Sequence, residues 1–316
     1  MLSAVLSAMP GVGIAAAPSP AHAVVNQGAL IDLNGLVLPG LVIGSAWYAV
    51  GFFRLLRRSP NRRNLVTQAV AFAGGTVVVG VSLLGPLDTA SDESFSAHML
   101  QHMLLMLVAA PLFVLAEPMP ALLAGLPRDW RVAANRARRN HLARQGWHRI
   151  THPGVTLVLY GVGLAGWHVP RLYDLALNRE WFHAMEHLSF LAVATLAWWV
   201  LLARPRHHGL DMGRRVLYVF VLMLQGTALS AVYAFSERPW YEVYSRSYPL
   251  GWTPLQDQQI GGVVMGVMCG VIYAGVAALL FLLWLAGEER PPGAAVRRAA
   301  PPMPPALHRA QGGPHA

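Results

Sequence analysis

Seven apolar runs, each close to the ~20 residues that an α-helix needs to cross the hydrocarbon core of a bilayer, follow one another along the chain. They occupy residues 36–53, 65–85, 95–116, 154–169, 181–202, 216–235 and 260–286. The core of a soluble domain holds one or two such runs. Seven in series with short connectors fit only a bundle in lipid, where every span satisfies its own backbone hydrogen bonds. The sequence therefore predicts an all-α fold, a polytopic membrane bundle of seven transmembrane helices over residues 36–287. Only 12% of residues are charged, about half the share in soluble domains.

The net charge of +9 would point to nucleic acid in a soluble protein, so the placement of the charges decides their meaning. All 24 basic residues are arginine, with no nucleic-acid motif among them. Arg54, Arg57, Arg58, Arg62 and Arg63 follow the first run, and Arg128, Arg131, Arg136, Arg138, Arg139, Arg144 and Arg149 follow the third. Arg204, Arg206, Arg214 and Arg215 follow the fifth, and Arg290, Arg297, Arg298 and Arg309 follow the last. Only Arg171, Arg179, Arg238 and Arg246 stand on the other side. Twenty arginines against four predict an outer N-terminus and a cytoplasmic C-terminus.

Residues 1–35 read as a translocated tail or a cleaved signal. Ala21-His22-Ala23 fits a cleavage site, but no basic segment precedes it. Residues 288–316, rich in proline, alanine and glycine, read as a disordered cytoplasmic tail. The loop 127–152 mixes arginines with Trp130, Leu142 and Trp147, which suits either an interfacial helix on anionic lipid or a plain orientation signal.

Ionisable residues within spans are costly and so are candidates for function. His98 and His102 in the third run are four apart, on one helix face, with Met99, Met103 and Met106 as a stripe beside them. His183 and His187 repeat the spacing in the fifth run, with Glu186 between them, and His168 ends the fourth. With the orientation above, these five histidines from three helices meet at the outer end. The arginine-rich side has histidines only in its loops and tail.

Imidazole binds copper, zinc, iron and nickel, and thioether adds a preference for Cu(I). Thiolates are oxidised outside the cytoplasm, so a chain handling copper there favours His and Met over Cys. The expected metal set is His98, His102, His168, His183, His187, Glu186, Met99 and Met103, with Glu186 either a ligand or an orienting partner. Met265 and Cys269 lie deeper in the seventh run, as a second copper position or as packing.

The run His98-Met99-Leu100-Gln101-His102-Met103-Leu104-Leu105 resembles the CtaG family of caa(3)-type cytochrome c oxidase assembly factors. So do Trp167-His168-Val169-Pro170 with Leu172-Tyr173, the His183 to His187 segment with Phe190, and Asp257-Gln258-Gln259 with Gly261-Gly262. This family is distinct from the single-span copper chaperones that share the gene name. The resemblance covers residues 95–286 and implies a bacterial plasma-membrane protein, not an enzyme, that helps to assemble haem-copper oxidase. Its implied partners are oxidase subunit I, which would receive copper, an extracytoplasmic copper donor, and the lipid bilayer. One departure is Gly266, where the family often carries Trp.

Two other readings remain at this stage. A haem b held between histidines of the third and fifth runs needs one histidine per helix and leaves the second of each pair unexplained. A transporter usually needs a charge near the middle of a span, and these spans lack one.

Overall fold

The computed structural model describes residues 34–202 and 210–288, and among them every regular element is helical. The expected N-terminal tail or signal, the tail beyond Glu288, and the segment 203–209 with Arg204 and Arg206 lie outside the described residues. Helices α1 (Asn34–Leu56) and α2 (Arg62–Leu84) lead to the short α3 (Pro86–Glu93). The next span joins α4 (Phe95–Leu104), a π-helical turn (Leu105–Ala109) and α5 (Ala110–Ala116). Short helices α6 (Met119–Gly125), α7 (Arg128–Arg139) and α8 (His141–Ile150) precede α9 (Pro153–Trp167) and α10 (Pro170–Asn178). The chain then runs through α11 (Glu180–Leu202), α12 (Met212–Ala234) and α13 (Pro254–Glu288).

Among the described residues, six helices are long and apolar enough to cross a membrane, and the fourth run forms a shorter apolar helix, α9, of 15 residues. At 1.5 Å per residue, α9 spans about 22 Å. It stops early because Val169 precedes Pro170, whose ring disfavours helical geometry at the residue before it. Pro170 then opens α10, where a missing N–H is harmless.

The span from α4 to α5 is the axis of the bundle, packed against α13, α11 and α2. Met99, Met103 and Met106 are buried on it, whereas Val42, Val70 and Val271 on outer helices stand exposed, as a lipid-facing surface requires. The π turn has a local cause. Pro111 cannot donate to the carbonyl four residues back and crowds it, so the ladder widens just before the proline. The Trp198 indole of α11 donates to the Met106 carbonyl in this turn at 2.9 Å.

Close backbone approach joins α12 and α13. A Cβ on Gly262 would lie 2.6 Å from the Ala234 nitrogen, and one on Gly266 would lie 2.4 Å from Ser230 Oγ. A side chain at 266, the position where this chain departs from the family pattern, would thus have to displace the Ser230 hydroxyl, which donates to the Gly262 carbonyl at 2.7 Å. The loop 127–152 forms α7 and α8, neither of which buries a residue, with Trp130 and Leu142 exposed among the arginines. That is the composition of helices lying in a membrane interface.

Candidate metal centre

The polar interior gathers at one end of the bundle, the end formed by the arginine-poor connections. Asp257 at the start of α13 fixes the site helix there. Its carboxylate accepts from Phe95 N at 2.6 Å, Ser96 N at 3.3 Å, Ser94 Oγ at 2.9 Å and Ser96 Oγ at 2.5 Å. Those bonds cap the free amides of α4, and the negative charge complements the helix dipole. Gln101 secures the other side, donating to the Ser82 carbonyl at 2.7 Å and to Asp88 Oδ1 at 2.9 Å. Gln258 and Gln259 hold the 235–253 connection by bonds to Trp240 N, the Arg238 carbonyl and the Ser236 carbonyl.

One edge of α4 faces α11. The ring centroids of His98 and His102 are 4.3 Å apart, as are those of His183 and His187. Across the helices, His98 lies 5.2 Å from His183, and His102 lies 5.2 Å from His187. Glu186 projects between the pairs, with one oxygen 3.8 Å from His98 Nε2 and the other 3.8 Å from His102 Nε2. These separations are too long for hydrogen bonds. They are short enough for both atoms to share one ion at bonds of about 2.0 Å. The donor atoms of His98, His183 and His187 lie within 4.8 Å of one another, as do those of His98, His102 and Glu186.

His98, His102, Glu186 and His187 are buried and His183 is half-buried, yet Nε2 of His98, His183 and His187, both ring nitrogens of His102 and both Glu186 oxygens have no hydrogen-bond partner. Buried polar atoms are normally satisfied, and converging orphans of this kind are what a bound cation would satisfy. The residues therefore fit a metal ion with nitrogen and carboxylate ligands.

The other edge of α4 faces α9 and α13. His168 Nδ1 donates to the Leu164 carbonyl at 2.7 Å, and its Nε2 lies 3.3 Å from Met99 Sδ. Met103 Sδ lies 3.8 Å from Cys269 Sγ. His168 is 6.2 Å from His102 between ring centroids. The eight residues expected as one set are thus brought to one end of the bundle but divided, with five between α4 and α11 and three on the opposite edge. Met265 is buried on α13.

Tyrosines cover the centre. Tyr173 of α10 lies 5.3 Å from His98 and stacks on Tyr241 at 3.9 Å. Tyr244 OH donates to the Ser91 carbonyl at 2.9 Å, and Tyr241 OH donates to the His168 carbonyl at 3.0 Å and bonds to Tyr233 OH. Burial holds the Tyr173, Tyr241 and Tyr244 hydroxyls well above the ordinary phenol range, so they act as neutral donors. A side cleft of about 200 Å³ reaches His183 and His187 between Val37, Leu83, Asp88 and Leu188. Burial raises the Asp88 carboxyl above its usual range, an effect that the Gln101 amide opposes. Tyr241 and Tyr244 of this covering escape sequence reasoning because they come from a connection without periodicity. The polar Gln101 inside an apolar run was a signal that it left unused.

A profile described as cytochrome c oxidase caa3 assembly factor (Caa3_CtaG) matches residues 46–287. An uncharacterized protein of Mycobacterium bovis is 24% identical over 278 residues, covering 83% of this chain and 39% of its own length. An uncharacterized protein of Mycobacterium leprae is 26% identical over 261 residues, covering 77% of this chain and 38% of its own. The chain thus spans about two-fifths of the length of the curated relatives it matches. No solved structure matches it.

Proposed function

The chain belongs to the family of cytochrome c oxidase caa3 assembly factors, and from that premise we propose that it binds Cu(I) at His98, His102, His183, His187 and Glu186 and assists its delivery to oxidase subunit I. The observation that carries this reading is the convergence of unpartnered imidazole nitrogens and a carboxylate in the bundle interior. Charge balance favours a monovalent ion. Glu186 as a carboxylate neutralises Cu(I), whereas a divalent ion would leave a net charge buried among apolar helices. Copper is cargo here, and it would be received from an extracytoplasmic donor at the end of the bundle that the arginine distribution turns outward.

The side cleft offers a route to His183 and His187 that does not cross the tyrosine cover. It opens along α11, where Leu188 is 68% exposed, so a partner within the bilayer could reach the site sideways. The haem b reading uses one histidine from each pair and gives neither Glu186 nor the second histidine a role.

Metal analysis of the purified full chain tests the proposal. Copper with nitrogen and oxygen ligation in the wild type and loss of that equivalent from a His98→Ala, His102→Ala double variant, together with failure of that variant to support an active oxidase, is the expected result. Stoichiometric iron with an intense Soret band would overturn it. So would a double variant that retained the copper equivalent with nitrogen and oxygen ligation.

A further inference from the structure

We propose a second, softer Cu(I) position on the opposite edge of α4, held by His168 Nε2 and Met99 Sδ. It rests on the copper reading above and extends it from a single binding site to a two-position pathway.

The geometry starts from the tautomer of His168. A carbonyl only accepts, so the 2.7 Å contact with the Leu164 carbonyl places the proton of a neutral ring on Nδ1. Nε2 then carries a lone pair, and it faces a thioether, which has no proton to offer, at 3.3 Å. Two lone pairs directed at each other in a buried site repel, and a soft cation between them turns the contact into a chelate. With bonds of about 2.0 Å to nitrogen and about 2.3 Å to sulfur, the lengths zinc makes to such atoms, this separation corresponds to an angle near 100° at the ion, that of a three- or four-coordinate centre with positions open to exchanging ligands. Imidazole with thioether, and no oxygen, selects Cu(I) over divalent ions.

The surroundings hold this pair in place. The His168 carbonyl receives the Tyr241 hydroxyl at 3.0 Å, and Met99 is fully buried on the capped α4. Met103 follows Met99 by one helical turn, and its sulfur receives the Cys269 thiol at 3.8 Å, so soft donors continue toward the middle of the bundle. His98 and Met99 are adjacent in sequence. An ion moving from the imidazole and carboxylate group to the thioether edge therefore passes around one helix by ligand exchange, with no change in its oxidation state.

The test is anaerobic Cu(I) titration of the purified full chain against a chromophoric competitor, combined with X-ray absorption at the copper edge. Met99→Leu preserves volume and so preserves the fold. The wild type should bind about two equivalents with copper–sulfur scattering, and Met99→Leu should bind about one with the sulfur signal lost. The His98→Ala, His102→Ala variant should keep the equivalent that shows sulfur. A wild type with a single equivalent and only nitrogen and oxygen scattering would overturn the soft position while leaving the imidazole site intact. Absence of copper from every form would overturn both. Zinc in place of copper should bind only at the imidazole group, and its retention of a sulfur signal would also count against the assignment.

Discussion

Glu186 is the residue on which the metal centre turns, because it stands between both histidines of α4 with neither oxygen bonded. Removing its charge leaves four imidazoles with no anion to balance an ion, so Glu186→Ala should weaken copper binding about 10- to 100-fold. Competition with a chromophoric chelator measures this, and unchanged affinity would show that the carboxylate lies outside the coordination sphere. Acid should act in the same direction. Only a neutral imidazole offers a lone pair, so protons compete with the metal, and affinity should fall once the solution is acid enough to protonate the site. Affinity that stayed unchanged in acid until the protein itself unfolded would contradict histidine ligation. The spacing of His98 with His102 and of His183 with His187 made this part legible in the sequence, since residues four apart share a helix face. The division from His168, Met99 and Met103 was not legible. It depends on which neighbour each edge of α4 meets, and that is set by the packing of α9, α11 and α13.

Elements matter here through two devices that join distant parts of the chain. Asp257, more than 160 residues beyond Ser94, caps α4 from α13, and this partnership leaves no local trace in the sequence. Asp257→Ala should cost about 0.5–2 kcal/mol of stability, as lost N-caps do. It should also weaken metal binding, because the first turn of α4 carries His98. Thermal unfolding in detergent and the chelator competition read the two effects separately. The π turn is the second device. Trp198→Phe keeps an aromatic side chain but removes part of a buried indole and leaves the Met106 carbonyl without its donor, which should lower stability by at least about 1–3 kcal/mol in the same unfolding assay. An unchanged melting temperature would mean that the turn closes its own bonds. Hydropathy located the spans but overextended the fourth by counting His168 and Val169, which the structure uses to turn ahead of Pro170.

The molecule as a whole is an inverted solvent problem, with apolar side chains such as Val42, Val70 and Val271 outward and the polar group enclosed at one end. Which end faces outward is an inference from the arginines, and it fixes whether copper enters before or after crossing the membrane. Helices α7 and α8, with Arg128, Arg131, Arg136, Arg138, Arg139, Arg144 and Arg149, mark the end opposite the histidines. If positive charge is retained in the cytoplasm, the metal centre lies on the outer side. Single cysteines test this in whole cells. In a Cys269→Ser background, Asn178→Cys, exposed at the end of α10 in an arginine-poor connection, should react with a membrane-impermeant maleimide added outside. Gly146→Cys in α8 should react only after the membrane is opened. The reverse pattern would place the histidines at the cytoplasmic face, where thiols stay reduced and a site without cysteine ligands loses its redox rationale. Copper delivery from an outer donor would then fall with it, whereas the coordination geometry of Glu186 and the four histidines would stand.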